Sequence, residues 1–198
     1  MTMKDRRYAN RGMTLEAFLR FANDRYEQKR VGIITKMPTE FIPIRDRSGK
    51  ICSAKVEQKS KVDFIGRYRC YPIAIEAKNS ENGAIRFDRV EEHQADYMDA
   101  FTAEPGTIGI VVISFNMRRF FSIPWTFWKA AYDTRVRRND RKTPVTVEAF
   151  GQTWTVPQKF SVRMEELDPS WEIPDHDFTY GIDYLKKATT YIIPQTAT

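Results

Sequence analysis

The sequence predicts an α/β protein, a sandwich of helices about a mixed sheet. Three observations carry this: an amphipathic stretch near the start, a nearly unbroken apolar run at residues 107–115, and short strand-like segments between helical ones. In residues 14–30 the side chains Leu15, Phe18, Leu19, Ala22 and Tyr26 fall at i, i+3, i+4, i+7 and i+11, one apolar helical stripe. Thr14 suits its N-cap, and Glu16 suits the positive end of the helix dipole. Residues 31–35 follow as a β-branched strand.

Between residues 37 and 61 the character changes. Pro38 and Pro43 interrupt, Ser48-Gly49 marks a turn, and Arg45, Arg47, Lys50, Lys55, Lys59 and Lys61 are interspersed with small or apolar residues. A two-stranded basic arm bent at residues 46–50 accounts for the pattern; a mobile basic loop is the other reading. Residues 62–66 and 71–77 read as two strands joined by a turn beginning at Gly66-Arg67. Residues 89–101 are a helix, with Val90, His93, Tyr97, Met98 and Phe101 near helical spacing, and residues 107–115 suit a central strand buried on both faces. Residues 119–123 form another strand, Pro124 opens a helix over 125–132, and a basic run follows from Arg135 to Lys142. The remainder is less regular, with a short final helix near residues 182–188. Trp125, Trp128, Trp154 and Trp171 are expected in the core or at a dimer contact.

Composition bounds the chemistry. At 198 residues, 41% hydrophobic and 29% charged, the chain has the profile of a soluble globular protein, and one domain spanning residues 1–198 is expected. Two cysteines, Cys52 and Cys70, suffice for neither a disulfide framework nor a zinc site. No apolar stretch is long enough for a membrane span, and residues 1–12 lack a signal-peptide core, so the cytoplasm is the expected compartment. The net charge of +6 is unevenly spread: residues 1–72 hold 17 Lys and Arg against 8 Asp and Glu. A basic first third suggests a surface for a polyanion, although solubility alone also explains an excess of charge.

The residues that carry chemistry lie at 63–78. Side chains alternate along a strand, so Glu76 and Lys78 project from one face while Ile75 and Ala77 take the other. With Asp63 on a neighbouring antiparallel strand, two carboxylates converge; they repel unless a cation sits between them, and hard oxygen ligands suit Mg²⁺. Such an ion binds a phosphate oxygen and acidifies a bound water, while Lys78 orients that water or stabilises the transition state. An ordinary solvated ion pair is the alternative reading of the triplet.

Asp63, the Glu76-Ala77-Lys78 triplet and a helix bearing His93-Gln94 resemble the signature of the PD-(D/E)xK nuclease superfamily. More specifically, Asn10-Arg11-Gly12-Met13-Thr14-Leu15-Glu16, Lys36-Met37-Pro38-Thr39, Asp63-Phe64-Ile65-Gly66, Glu92-His93-Gln94 and Gly181-Ile182-Asp183-Tyr184-Leu185 resemble, in order, motifs of the RecU family of Holliday-junction resolvases. The likeness covers most of the chain and is weakest over residues 137–174. It implies a restriction-endonuclease-like fold with a projecting stalk at residues 37–61. It further implies Asp63, Glu76 and Gln94 as ligands of Mg²⁺ (with Mn²⁺ as a substitute), Lys78 as transition-state stabiliser and Glu16 as an acidic residue bordering the site. Arg11, Arg45, Arg47, Lys50, Lys55, Lys59 and Lys61 would contact DNA. The partners implied are a four-way junction, a second copy of the chain in a homodimer and a host recombinase, in a bacterial or phage-infected cell.

One residue departs from the pattern. Lys61 stands where the family usually has a threonine beside the metal, so either Lys61 points outward toward DNA or the metal is held more weakly. This departure keeps open a non-catalytic DNA-binding accessory protein, and a nuclease of linear duplex is the third reading. His93 is expected to pack or hydrogen-bond, and His176, between Asp175 and Asp177, is a poor sign of a second metal.

Overall fold

The computed structural model describes residues 14–174 and 182–190. Arg11 and His176 lie outside these residues. Helix α1 (Leu15–Gln28) is capped by Thr14, whose Oγ1 accepts from the Ala17 amide at 3.3 Å, and it buries Leu15, Leu19, Ala22 and Tyr26 on one face. Strand β1 (Gly32–Lys36) follows. A hairpin of β2 (Glu40–Arg45) and β3 (Ile51–Gln58) comes next, then β4 (Phe64–Tyr68), β5 (Tyr71–Ser80) and β6 (Ala84–Arg86). Helix α2 (Glu92–Thr102), β7 (Ile108–Phe115), β8 (Arg119–Pro124) and α3 (Trp125–Ala131) complete the centre of the chain.

The central sheet has six strands in the order β1-β4-β5-β7-β8-β12, the last being the two residues Glu172–Ile173. β5 and β7 run parallel and the other neighbours antiparallel, so the sheet is mixed, as expected. β7 sits in the interior, and its nearly unbroken apolar run follows from burial on both faces. Its side chains divide by alternation. Val111 and Ile113 join a core with Ala95, Met98, Trp125 and Trp128 of α2 and α3. Ile110 and Val112 join a second core with Leu15 and Leu19 of α1 and with Tyr184 and Leu185 of α4 (Tyr184–Thr190). Helices thus cover both faces. All four tryptophans are buried in the first core.

Two sequence expectations need correction. The turn after β4 is not at Gly66-Arg67, which lie within the strand, but at Arg69-Cys70, where Arg69 takes φ +54°. Gly66 is required for a different reason: a Cβ there would fall within contact distance of the Ile33 carbonyl oxygen and 2.7 Å from the Ile34 Cα, so β1 can approach only because the side chain is absent. Residues 144–174 are also more regular than their composition suggests. β9 (Val145–Ala149) and β10 (Gln152–Val156) form a hairpin, and β11 (Ser161–Arg163) pairs with β6. The basic run at 135–142 is partly structural. Arg135 is fully buried and donates to the carbonyls of Asp140, Thr143 and Pro157 at 2.7–3.0 Å. Arg137 pairs with Asp133 at 2.7 Å, Asp99 at 3.2 Å and Asp96.

Residues 37–61 contain the expected hairpin. Its turn is closed by the Asp46 amide donating to Lys50 at 2.9 Å and the Gly49 amide donating to Asp46 at 3.0 Å, with Gly49 at φ +85°. Every residue of β2 is exposed. No helix among the described residues is long and apolar enough to cross a membrane.

Candidate active site

Strand β5 supplies the centre of the site. Ile73 and Ile75 face the α1 core and Ala74 the α2 core, so the two-residue period places Glu76 and Lys78 on the α2 side. Glu76 is fully buried, and the Lys78 side chain is 15% exposed. Asp63 immediately precedes β4, whose Phe64 pairs with Ile75, and it therefore stands opposite Glu76. The Ala77 amide donates to Asp63 Oδ2 at 2.8 Å, which ties that carboxylate to the strand bearing its partner.

Lys78 links the pair to α2. Its Nζ is 2.5 Å from Glu76 Oε1 and donates to Gln94 Oε1 at 3.2 Å. Gln94 is also the third residue of a capping box, its Oε1 accepting from the Glu91 amide at 3.0 Å. The amide oxygen is thus shared between the helix cap and the lysine, and Gln94 holds Lys78 in place. His93, as expected, makes a hydrogen bond: its Nε2 lies 3.2 Å from the Ser60 carbonyl oxygen.

The electrostatics are those of two acids forced together. Burial, reinforced by the negative charge of Asp63, pushes the Glu76 carboxyl up to about 7 against the pull of Lys78. Burial also raises Asp63, opposed by the Ala77 amide and Lys78. Both Glu76 oxygens are buried without a hydrogen-bond partner, because the Lys78 contact meets the distance of an ion pair but not the alignment of a hydrogen bond. Buried, unsatisfied carboxylate oxygens beside a second carboxylate fit a hard divalent cation, which would satisfy the oxygens and remove the repulsion together. Among the described residues no three of His, Cys, Asp and Glu gather into a metal cage. Asp63 and Glu76 are the two carboxylates such an ion would meet, and a pair of carboxylates would leave coordination positions for water.

Glu16 borders this centre without joining it. It is ion-paired to Lys36, and both bear electrostatically on Asp63. The sequence reading missed Lys36 as a site residue, although strand alternation contains the signal: Lys36 shares the inward face of Ile34 at the end of β1.

Of the residues assigned to DNA, Arg45, Arg47, Lys50 and Lys55 are exposed on the hairpin, Arg45 donating to the Gly49 carbonyl at 2.8 Å. Lys59 pairs with Glu91 at 2.7 Å near the hairpin root. Lys61 is exposed and directed over the Tyr97 ring, 5.9 Å from its centroid, not inward to the carboxylates. Arg11 is outside the described residues.

The model of the RecU family, described as Recombination protein U, matches residues 10–169, a stretch that includes Asp63, Glu76, Lys78 and Gln94. The chain belongs to the RecU family. Similar members include a Holliday junction resolvase RecU from Streptococcus pneumoniae (strain Taiwan19F-14), 33% identical over 133 residues, or 64% of this chain and 64% of that protein. The RecU of Geobacillus thermodenitrificans (strain NG80-2), with the same printed name, is 30% identical over 141 residues, 68% of this chain and 67% of that one. The RecU of Staphylococcus saprophyticus subsp. saprophyticus, named likewise, is 24% identical over 168 residues, 81% of this chain and 79% of that one. The matched part spans just under two thirds of the pneumoniae RecU.

Proposed function

We propose that this RecU-family chain is a divalent-metal-dependent DNA endonuclease that resolves four-way junctions by nicking two symmetric strands. The observation that carries the reading is the fully buried Glu76 opposite the partly buried Asp63, with Lys78 beside Glu76 on β5. Membership of a family whose relatives bear the name Holliday junction resolvase supports the substrate. In this reading the fold is a restriction-endonuclease-like sandwich in one domain, with residues 37–61 as an inserted stalk, and the protein acts in the bacterial cytoplasm.

Asp63 and Glu76 would hold Mg²⁺, or Mn²⁺ in its place, and the ion supplies charge neutralisation at the phosphate and acidification of the attacking water. Asp63 is kept in position by the Ala77 amide. Lys78, with its ammonium beside Glu76, donates to the attacking water or to the phosphate oxygens as negative charge grows there. Gln94 becomes a ligand only by exchanging Lys78 for the ion; as held, it positions the lysine. Glu16 and Lys36 adjust the charge around Asp63. Two symmetric cuts require two such sites, which a twofold homodimer provides. The exposed hairpin, with Arg45, Arg47, Lys50 and Lys55, offers cations to converging phosphates, and a recombinase is a further partner in this reading. Lys61 lies over the Tyr97 ring, which supports the catalytic reading over a non-catalytic one.

The test is cleavage of a labelled synthetic four-way junction beside a linear duplex of the same sequence, each with Mg²⁺ or EDTA. Symmetric, metal-dependent incision of the junction alone, lost in Glu76→Ala, supports the proposal. Tight junction binding with no incision under any metal refutes it.

A further inference from the structure

An open cavity of about 370 Å³ lies between the root of the β2–β3 hairpin and α2, and of its lining only Lys59 and Lys61 have a role above, as DNA contacts. Its aromatic wall is Tyr97, partly buried, with its ring stacked on Phe101 at 6.1 Å. Met37 and Pro38 line it from the chain entering the hairpin, and Lys59 and Lys61 from the chain leaving it. Glu40 and Ser60 add a carboxylate and a hydroxyl.

The cavity is built onto the residues that form the catalytic centre. The Met37 amide donates to the Asp63 carbonyl at 2.8 Å, the Ser60 carbonyl is held by His93, next to Gln94, and Lys61 is two residues from Asp63. Lys59 is tethered to Glu91, the residue that caps α2. A ligand in the cavity would therefore be fixed relative to the carboxylate pair.

An aromatic face, an apolar flank, two ammonium groups and one carboxylate together match a single chemical object: a planar base with an attached phosphate and an exocyclic amine. The volume is on the scale of one nucleotide. We propose that this cavity is a subsite for one unpaired nucleotide flanking the scissile phosphate. The base lies on Tyr97 against Met37 and Pro38, an amino group donates to Glu40, and the phosphate meets Lys59 and Lys61. Lys61 must swing off the Tyr97 face to admit the base. Extruding a nucleotide is least costly where pairing is already broken, as at the crossover of a branched junction. The assignment rests on the proposed junction-cleaving function.

Photocrosslinking tests it without relying on activity. Four-way junctions carrying 5-iododeoxycytidine at successive positions around the crossover are bound by the full-length Glu76→Gln chain, irradiated, and the adducts located by mass spectrometry. The expected result is an adduct on Tyr97 from one position beside the cut. Tyr97→Ala should lose the adduct and bind the junction about tenfold more weakly, as removal of one stacked base predicts. Because Tyr97 also packs against the core, Tyr97→Phe serves as the folded control and should keep both adduct and affinity. Adducts confined to hairpin residues, with junction binding intact, overturn the subsite and leave the proposed function standing. Absence of junction binding by the wild-type chain overturns both.

Discussion

Lys78 Nζ stands 2.5 Å from Glu76 Oε1 on the same face of one strand, yet it does not bring that carboxyl back to the usual acidic range. Burial and the nearby Asp63 outweigh it. Without metal, the site therefore opposes folding whenever Glu76 is ionised.

The first prediction concerns pH. Glu76 has its pKa raised from 4.5 to about 7 in the folded state, so the folded protein binds this proton more tightly than the unfolded chain. The Glu76 contribution to stability is full below about 4.5, falls as pH rises, and is lost above about 7. Asp63, raised in the same direction, adds to the trend. The loss should be on the order of 3 kcal/mol across this window. Urea midpoints measured in EDTA from pH 4 to 8 should show Glu76→Gln gaining on the wild type as pH rises, and Mg²⁺ should narrow the difference above pH 7. Parallel curves for the two proteins would disprove the burial argument.

Removing Lys78 should separate chemistry from binding. Lys78→Met takes away the ammonium beside Glu76 and the donor to Gln94 but touches no exposed hairpin cation. Single-turnover junction cleavage should fall about 100- to 1,000-fold, the usual cost of one transition-state donor, with junction affinity little changed. Asp63→Asn should be as inactive. Cleavage within tenfold of wild type in either variant would remove that residue from the site.

How far the sequence foretold this site can be followed residue by residue. The period of two placed Glu76 and Lys78 on one face, and a single antiparallel pairing placed Asp63 opposite, so the carboxylate pair was legible from local pattern. The Glu16–Lys36 pair was not, because it depends on how α1 lies on β1, a tertiary fact that neither segment encodes alone. Gly66 was misread because a glycine in a strand signals a turn and a close backbone approach equally well, and only the neighbouring strand decides between them. The β9–β10 hairpin carried its signal in the alternation of Val145, Val147 and Ala149, masked by polar composition. Tyr97 read as a core position on a helical stripe, and only the hairpin root shows that one side of it is open.

Lys61 provides a third prediction. It is exposed over Tyr97 and directed away from the carboxylates, so Lys61→Thr should leave the Mg²⁺ concentration for half-maximal cleavage unchanged. It should instead weaken junction binding and lower the slope of log affinity against log salt by about one, the signature of one lost phosphate contact. A lower Mg²⁺ concentration for half-maximal cleavage with an unaltered salt slope would place Lys61 in the metal site after all.

Gly66→Ala should separate the fold from the chemistry. The new methyl would be driven into the Ile33 carbonyl and the Ile34 Cα, both backbone atoms that no rotamer change can move. β1 must therefore shift from β4, carrying Lys36 away from Glu16 and disturbing the Met37–Asp63 backbone bond. Overpacking of this kind costs about 1–3 kcal/mol, and more where backbone meets backbone, so the urea midpoint should drop clearly. Gly49→Ala is the contrasting substitution. Gly49 has φ +85° in the exposed hairpin turn with nothing near its missing Cβ, so strain there should loosen the turn and leave the sheet intact. Hydrogen exchange should show lost protection in β1 and β4 for Gly66→Ala, and in β2 and β3 alone for Gly49→Ala. Equal protection of β1 in both variants would mean that the close approach at Gly66 is not what holds the edge of the sheet.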